Sequence, residues 1–561
     1  MKYGPGPLTK VLIVLIGLGA LASLAWNFFL KDKWLERQGD KPAVVAVQAT
    51  PGEPAKPAAP AKPTGAAAGR LGSATNPLRV SLVSFHGYAP ALVANGNSLK
   101  TQSGSIYAKL GVNVEFVIND DIPTLTTLFE SKAAQCAWRT SDFWAQEQPN
   151  LRNSGHDARA MLIVDNTQGA DAVIVSDPGV AKIEDLAGKD IALLQYTPSH
   201  GMLIDAIESS SLTSRAKKQV KTVFIKAEEG TAGVRAAFVA GSVKAAVLWD
   251  PDLSLALREV KGSRIIYSTK TATNLIYDVI VCDQRELARA ENEDVFQKFH
   301  DGWLEGTTAA RANPDQAVDA LVATKEYFKL LAGKEGKPFV KGLFGNLVWT
   351  DLADNARILG LVGGVNHYER VYARFDEIYR AAGSLANPKS PVITPQESYD
   401  YRFIKSALQR NVKAQEAAAK PTQTFSDQGR ATAMAAPAAV TKPVSVNFAS
   451  GSAELSKRAQ QVIDKDMVPF IENNGSAYFE LSGNTDSVGS AAANQALSQH
   501  RARAVAEYLE KQWEVPRARL RVSGFGSSRP LCNEANPASA EMSLDECRAL
   551  NRSTRLAVFA R

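Results

Sequence analysis

Two segments rich in alanine, proline and lysine divide this chain and limit what it can fold into. One covers about residues 37–76 and includes TPGEPAKPAAPAKPTGAAAG, and the other covers about residues 417–443. Such segments carry too few apolar side chains to bury a core, and their proline content favours extended polyproline conformations. The chain therefore cannot be one globular unit. We predict tethers at 31–76 and 409–443 that separate an N-terminal segment, a middle domain and a C-terminal domain.

An uncharged run of twenty residues, 11–30, precedes the first tether. Its sequence, VLIVLIGLGALASLAWNFFL, is long enough to cross a bilayer as a helix. We predict a transmembrane anchor at 11–30 after a short tail at 1–10, so that the mature chain keeps its N-terminus. The alternative is a signal peptide that is cleaved near residues 20–22. Basic residues flank the run on both sides, so their distribution does not settle its orientation.

The middle segment, residues 77–408, alternates short apolar stretches with amphipathic patterns of helical period. This alternation is typical of α/β domains with largely parallel sheets. A segment of roughly 330 residues favours two lobes over one. Strands are predicted at 78–83, 113–117, 172–175, 190–194, 220–225, 245–248 and 277–282.

The C-terminal part contains a strand at 478–481, a turn rich in Gly, Asn, Asp and Ser, and a helix over about 490–512. At one hundred degrees per residue, Arg501 falls inside the apolar stripe of this helix, whereas Arg503 points away from it. An arginine in such a stripe needs an acid or an anionic ligand, and the nearest acid is Asp486. The predicted stripe consists of Ala493, Leu497, Ala504, Val505 and Tyr508.

Residues 444–561 resemble the OmpA-like peptidoglycan-binding domain. The resemblance rests on Thr485-Asp486, Gly489, Asn494, Leu497-Ser498, Arg501-Ala502, Val505, Gly524-Phe525-Gly526, Pro530 and Asn551-Arg552. It implies a separate α+β domain that holds the diaminopimelate of a peptide stem. Asp486 would take the ammonium and Arg501 the carboxylate, with Thr485, Asn494 and Arg552 in the same site. The residues alone also allow a buried Asp–Arg pair that only holds the turn.

The middle segment carries a second resemblance, to periplasmic solute-binding proteins of the nitrate, sulfonate, taurine and thiamine-precursor group. The resemblance rests on SFHGYAPALVANG at 84–96 and on longer phrases at 169–207, 228–253 and 274–287. It implies a two-lobed periplasmic-binding-protein fold with a ligand in the cleft. Lobe one would cover 78–170, lobe two about 171–273, and the chain would then return to lobe one. The chemical nature of the solute does not carry over from this resemblance.

Ligands of open α/β sheets bind beyond the carboxyl ends of strands, which places a set of polar and aromatic residues in the predicted solute site. Hydroxyl groups at a helix start would favour an anion, whereas Asp250 would favour a cation or a hydroxyl-bearing ligand. Each residue taken singly also fits an ordinary role as a helix cap or a core side chain. The set consists of Ser84, His86, Tyr88, Trp138, Thr140, Thr197, Ser199, His200, Trp249 and Asp250.

The four cysteines are too few for a disulfide scaffold. Cys532 and Cys547 flank a polar loop, and some OmpA-like domains carry a disulfide there, so we predict that they pair in an oxidising compartment. Cys136 and Cys282 are predicted to be separate buried thiols. The six histidines show no metal-ligand spacing and no catalytic motif is present, which favours a binding protein without metal or cofactor over an enzyme. A net charge of +6 spread along 561 residues does not indicate nucleic-acid binding.

Together these features predict a single-pass inner-membrane protein with most of its chain in the periplasm of a Gram-negative bacterium. It would bind peptidoglycan without a covalent bond, and a small solute in its middle domain. Two alternatives stay open. The chain is the substrate-binding component of an ABC transporter docked on the wall, or it is a structural tether between wall and membrane whose middle domain binds a protein partner.

Overall fold

The computed structural model describes residues 69–120, 124–381, 383, 385, 387–420, 423–449 and 451–561. The predicted tail and anchor and most of the first tether, residues 1–68, lie outside the described residues. Among the described residues, none of the helices combines the length and the apolar character that a bilayer span requires.

The chain builds the first part of lobe one, crosses into lobe two, and then returns. The first part of lobe one contains β1 Leu78–Leu82, α1 Ala89–Ala94, α2 Ile106–Leu110, β2 Val114–Ile118, α3 Leu125–Glu130, β3 Cys136–Thr140, α4 Ser141–Asn153 and β4 Ala158–Thr167. Lobe two contains β5 Asp171–Val175, β6 Asp190–Leu194, α5 Pro198–Glu208, α6 Ser214–Lys218, β7 Lys221–Ile225, α7 Gly230–Val239, β8 Ala245–Trp249, α8 Asp252–Glu259 and β9 Arg264–Ser268.

The return to lobe one adds one long strand and a series of helices. These elements are β10 Tyr277–Asp283, α9 Gln284–Leu287, α10 Glu293–Ala312, α11 Pro314–Thr324, α12 Glu326–Glu335, α13 Lys337–Leu343, β11 Leu347–Trp349, α14 Leu352–Ile358, α15 His367–Ala381, α16 Arg402–Gln409 and α17 Val412–Ala418. Among them, α15 packs on α4 of lobe one and on α5 of lobe two.

Each lobe is organised around a mixed sheet, so the prediction of largely parallel sheets is only partly right. The sheet of lobe one has the strand order β11-β4-β10-β3-β1-β2, and that of lobe two has β7-β6-β8-β5-β9. Parallel pairing is confined to β1 with β2 and β3, and to β6 with β7 and β8. The strands that follow a crossover, β5 and β10, enter their sheets from the opposite lobe and therefore run antiparallel to their neighbours.

The C-terminal domain is α+β, with helices against a four-stranded sheet in the order β12-β15-β13-β14. Both β12 and β13 run antiparallel to the last strand, which lies between them. The elements are α18 Asp427–Ala433, β12 Val440–Val444, α19 Lys457–Val462, α20 Val468–Asn473, β13 Tyr478–Gly483, α21 Ala491–Trp513, β14 Leu520–Gly524, α22 Leu544–Asn551 and β15 Thr554–Phe559.

The C-terminal domain docks on lobe two, and part of the segment that we predicted as a tether folds with the C-terminal domain. The backbone N–H of Asn274 donates to Asn473 O at 3.1 Å, and the Asn274 side chain donates to Glu472 O at 2.8 Å. Ser476 Oγ donates to Lys270 O at 2.6 Å. Within the proline- and alanine-rich segment itself, residues 427–433 are helical and residues 440–444 form the edge strand of the sheet.

Both cysteine pairs form disulfides. Cys532 bonds to Cys547 across the polar loop of the C-terminal domain. Cys136 also bonds to Cys282, so the prediction of two separate thiols there is wrong. The reason lies in the sheet of lobe one, because these two cysteines are direct partners in the antiparallel register of β3 and β10. Their separation of 146 residues in sequence hides this neighbourhood.

Candidate functional site

The turn between β13 and α21 places the carboxylate of Asp486 in an ion pair. Arg552, directly after α22, donates from Nη1 to Asp486 Oδ2 at 2.5 Å. The other carboxylate oxygen, Oδ1, accepts from the backbone N–H of Val488 at 3.2 Å. Asp486 is 8% exposed, whereas the Arg552 side chain is 46% exposed. The acid is therefore held in place while one edge of the pair stays open to a ligand.

Arg501 projects from α21 toward the same region, but it does not form the buried ion pair with Asp486 that was the alternative to a ligand site. Its Nε donates to Ser452 O at 3.0 Å and its Nη2 to Ala449 O at 3.3 Å, and its guanidinium lies 5.0 Å from the ring centroid of Phe448. Burial lowers the pKa of Arg501, and the nearby Arg552 adds to this shift, while Asp486 opposes it. The site thus holds two guanidinium groups and one carboxylate close together.

Two further predicted residues line the same turn. Asn494 is buried, and its side-chain amide donates to Val488 O at 3.0 Å, which ties the turn to α21. Thr485 is also buried, and its hydroxyl has no hydrogen-bond partner among the described residues. The two guanidinium groups supply N–H donors beside Asp486, which suits a ligand carboxylate, and Thr485 precedes Asp486 in the same turn.

The sequence did not point to Glu534, which supports the turn from outside. Its carboxylate accepts from Ser487 N at 3.1 Å and from the Asn551 side chain at 2.9 Å. Asn551 in turn accepts from Leu531 N at 2.8 Å, next to the disulfide of the loop. Desolvation would raise the pKa of Glu534, but hydrogen bonds from Ser487 and Asn551 lower it to about 2. The Glu534 carboxylate is therefore charged at neutral pH.

The buried face of α21 is shifted by about one residue along the sequence from the apolar stripe that we predicted. Ala493 is exposed, and Leu497, Ala504 and Tyr508 are only partly buried. The helix packs so closely on the sheet that a Cβ on Gly483 would lie 2.1 Å from Ser498 O. Small side chains therefore face the sheet, and Arg501 lies at the edge of that face. Its buried residues are Asn494, Ser498, Ala502, Val505, Ala506 and Leu509.

The structure brings the predicted lobe-one residues to the end of the sheet that faces lobe two. Tyr88 is fully buried and donates from its hydroxyl to Asp278 Oδ1 at 2.6 Å, with the ring of Trp138 at 6.4 Å. Thr140 lies at the end of β3. His86 is fully buried, and desolvation and then Lys325 lower its pKa to about 3, so its ring is neutral. Ser84 instead faces Asp120 and donates to it at 2.8 Å.

The predicted lobe-two residues lie on the opposite side of the same cleft. Ser199 is fully buried in the first turn of α5, and its hydroxyl has no partner among the described residues. Thr197 donates to Leu194 O at 2.8 Å, and His200 accepts from Tyr196 N at 3.3 Å. Burial lowers the pKa of His200 to about 4, so it too is neutral.

The two lobes touch in this structure. Asn346 of lobe one donates to Asp250 Oδ2 of lobe two at 2.6 Å, and Trp249 packs against the cores of both lobes. Asp250 also accepts from Ser254 N at 3.0 Å. Asp250 therefore belongs to the lobe interface as well as to the predicted site.

A row of buried acids that the sequence did not indicate crosses the cleft. Thr140, Asp278 and Asp165 stand opposite one another on β3, β10 and β4 in the antiparallel register. Asp171 is the first residue of β5, just after the chain crosses into lobe two, and Asp142 lies in the first turn of α4. All four of these aspartates are at most 3% exposed.

A separate cavity of about 340 Å³ lies where α5, α15 and the C-terminal domain meet. Charged groups of both signs line it, and none of the residues predicted for solute binding does. Its lining includes Asp205, Arg374, Lys442, Asp464 and Trp513.

Comparison with known protein families assigns both domains. Residues 106–317 match the family model described as NMT1/THI5 like, and residues 447–543 match that of the OmpA family. The chain contains an NMT1/THI5-like domain and an OmpA domain. The first match includes all of lobe two, and the second includes Asp486 and Arg501. Arg552 lies beyond the matched range, so its place in the site rests on its ion pair with Asp486.

Among curated proteins, the chain is 35% identical over 96 residues to outer membrane porin F of Pseudomonas aeruginosa, covering 17% of this chain and 25% of the porin. It is 33% identical over 136 residues to outer membrane protein P5 of Haemophilus influenzae, covering 23% of this chain and 38% of that protein. The chain thus spans well under half the length of these relatives. Among solved structures, the periplasmic aliphatic sulphonate binding protein SsuA from Escherichia coli is 14% identical with a TM-score of 0.44, covering 57% of this chain and 96% of that chain.

Proposed function

We propose that this protein binds peptidoglycan through its OmpA domain and a small solute in the cleft of its NMT1/THI5-like domain. The observation that carries the first part is the convergence of Asp486, Arg501 and Arg552 beside the buried hydroxyl of Thr485. A peptide stem that contains diaminopimelate offers an ammonium and a carboxylate on one carbon. A site with a carboxylate and two guanidinium groups complements both charges.

Each charged residue of the site has a distinct role in this proposal. The ligand ammonium approaches the carboxylate of Asp486, which Arg552 orients from one side. The ligand carboxylate takes N–H groups of Arg501, of which the described carbonyl oxygens engage two. Phe448 lies under the Arg501 guanidinium and limits its movement. The alternative is an Asp–Arg ion pair that only holds the turn. In the structure Asp486 and Arg552 form such a pair, and Arg501 does not take part in it.

The test is sedimentation of the full chain with purified peptidoglycan. Asp486→Ala and Arg501→Ala should each weaken binding roughly ten- to a hundredfold, because a hydrogen bond to a charged group contributes about 1.5–3 kcal/mol. Arg503→Ala is the matched control, since Arg503 is on the same helix and its side chain is exposed. Circular dichroism checks that all three variants fold.

An equal loss in Arg503→Ala and Arg501→Ala would mean that binding is diffuse electrostatic attraction and would exclude the pocket. Loss in Asp486→Ala with wild-type binding in Arg501→Ala would leave only the structural pair.

The proposal places the protein at the inner membrane with both domains in the periplasm. The uncharged run at 11–30 supports an anchor. Two disulfides support an oxidising compartment, which the periplasm is. Peptidoglycan also lies outside the inner membrane, so that an anchored OmpA domain reaches its ligand from that side.

A further inference from the structure

The cleft of the NMT1/THI5-like domain is strongly acidic in its buried part, although hydroxyl groups at the start of α5 first suggested an anion site. Five aspartates meet there from five separate elements, and each is at most 3% exposed. Their convergence is not a property of one loop or one helix. The five are Asp142 in α4, Asp165 in β4, Asp171 in β5, Asp250 after β8 and Asp278 in β10.

An independent observation marks the point at which a ligand group would lie. Gly201, in the first turns of α5, faces Tyr379 of α15 and Asp142 of α4. A Cβ at Gly201 would lie 2.6 Å from the Tyr379 hydroxyl oxygen, 2.9 Å from Asp142 Oδ2 and 3.0 Å from Phe375 Cε1, so both polar atoms pack against the same face of Gly201 and lie close to each other. The Tyr379 hydroxyl and that of neighbouring Ser199 are fully buried and have no hydrogen-bond partner among the described residues.

The buried cations nearest to this region have their own partners. Arg139 donates to Glu147 Oε1 at 2.9 Å and to Trp138 O at 2.6 Å. Lys325 donates to Val83 O at 2.6 Å and to Phe85 O at 3.1 Å, behind the ring of Tyr88. The histidines at 86 and 200 are neutral because burial lowers the pKa of each. No described basic side chain forms an ion pair with any of the five acids, which leaves their negative charge to be neutralised by protons or by a ligand.

A second helix that begins at the cleft, α4, carries an acid in its first turn. A helix N-terminus attracts negative charge, and α4 begins at the cleft. Its first turn already contains the carboxylate of Asp142. A ligand anion would have to approach this carboxylate, whereas a ligand cation would be attracted by it.

We propose that the solute of this cleft is an organic cation, an amine or an amidine, whose charged group lies between Asp142, Tyr379 and the Asp165–Asp278 pair. This inference rests on the proposed function of the cleft as a solute site and names the chemical class of the solute. Tyr88 and Trp138 lie beside Asp278 and offer aromatic faces to the same cation. The hydroxyl groups of Ser199 and Tyr379 accept from its N–H groups.

The protonation of the acids agrees with this proposal. Burial raises the pKa of Asp142 to about 7 and that of Asp250 and Asp278 to about 6, and it also raises the pKa of Asp165 and Asp171. Without a ligand, part of the cluster is therefore protonated near neutral pH. A bound cation replaces those protons, so its affinity should rise between about pH 5 and pH 8 and its binding should release protons.

The experiment is calorimetric titration of the full chain with putrescine, spermidine and agmatine, and with ethanesulfonate and nitrate as anions. At least one cation should bind, with affinity that rises with pH. Asp142→Asn should weaken it roughly ten- to a hundredfold, in line with loss of one charged hydrogen-bond partner. Asp319→Asn, which changes a carboxylate that is 54% exposed on lobe one, is the matched control and should bind as the wild type does.

Thermal unfolding separates loss of binding from loss of fold. Asp142→Asn keeps the side-chain shape and removes a buried charge, so its melting temperature should not fall. Gly201→Ala provides a second variant, which displaces the Tyr379 hydroxyl and the Asp142 carboxylate from their present positions. Binding of an anion but of no cation would overturn the inference and leave the solute-binding function standing. Binding of neither class would overturn both, and cation binding that Asp142→Asn leaves unchanged would overturn the placement of the site.

Discussion

The docking of the OmpA domain on lobe two can be broken at one residue. Gly475 lies in the turn between α20 and β13, and a Cβ there would lie 2.7 Å from both the Asn274 side-chain nitrogen and Thr273 Oγ1. Its backbone does not require glycine for conformational reasons, since its φ is not in the left-handed region. A Gly475→Gln substitution should therefore push the two domains apart without disturbing the fold of either.

The magnitude follows from the contacts next to Gly475. The shortest hydrogen bonds that join the domains within three residues of it are two from Asn274 at 3.1 and 2.8 Å, and one from Ser476 at 2.6 Å. Each contributes about 1 kcal/mol net, so their loss weakens docking by about 3 kcal/mol. This corresponds to a change of roughly 150-fold in the docking equilibrium.

Small-angle scattering and hydrogen exchange measure this effect. The radius of gyration should increase in Gly475→Gln, and the amide of Asn274 should lose protection. Gly333→Gln is the control, because Gly333 lies in α12 with nothing within 4 Å of its added Cβ. Unchanged scattering and protection in Gly475→Gln would refute the idea that these contacts hold the domains together.

Two further predictions concern pH and the N-terminus. Burial, aided by Lys325, lowers the pKa of His86 to about 3, below its ordinary value of 6.5, so the fold loses stability as pH falls through that window. In denaturant titrations between pH 6 and pH 4, the unfolding free energy of the wild type should fall by about 1.4 kcal/mol per pH unit more than that of His86→Gln. Equal dependence of the unfolding free energy on pH in the two proteins would mean that the His86 ring is protonated in the folded state. If residues 11–30 form an uncleaved anchor, the intact mass of protein extracted from membranes should include the N-terminus, and a chain that begins near Ser23 would exclude the anchor.

Regular apolar patterns were enough to predict most single elements. Strand β6 has the predicted bounds, Asp190–Leu194, and α21 begins and ends within one residue of its predicted range. By contrast, β3, β4, β9 and β11 of the middle segment were missed. Strand β3 contains Arg139, which is 1% exposed, and such a residue interrupts an apolar pattern. Its partner Glu147 lies on the next helix, so only the folded chain shows how the charge is compensated.

The sequence predicted which residues lie in each candidate site, but not which of those residues contact one another. Asp486, Arg501 and Arg552 were all expected in one site, yet Asp486 pairs with Arg552 while Arg501 binds backbone carbonyl groups. Local sequence says which charges are present, whereas the path of the loops decides which of them meet. The acid row of the cleft has the same origin, because Asp165 and Asp278 become neighbours only when β4 and β10 pair.

Helix α15 touches all three bodies of the molecule. It packs on α4 and α5 and against α20 of the OmpA domain. Tyr379 near its end faces the cleft, and Arg370 near its start makes an ion pair with Glu472 of the OmpA domain. These two residues are nine positions apart, or about 13.5 Å along the helix axis. If the proposed anchor and wall binding hold, tension between cell wall and membrane loads the same helix that borders the proposed solute site. By thermodynamic reciprocity, an occupied cleft would then alter how much tension the docked domain withstands.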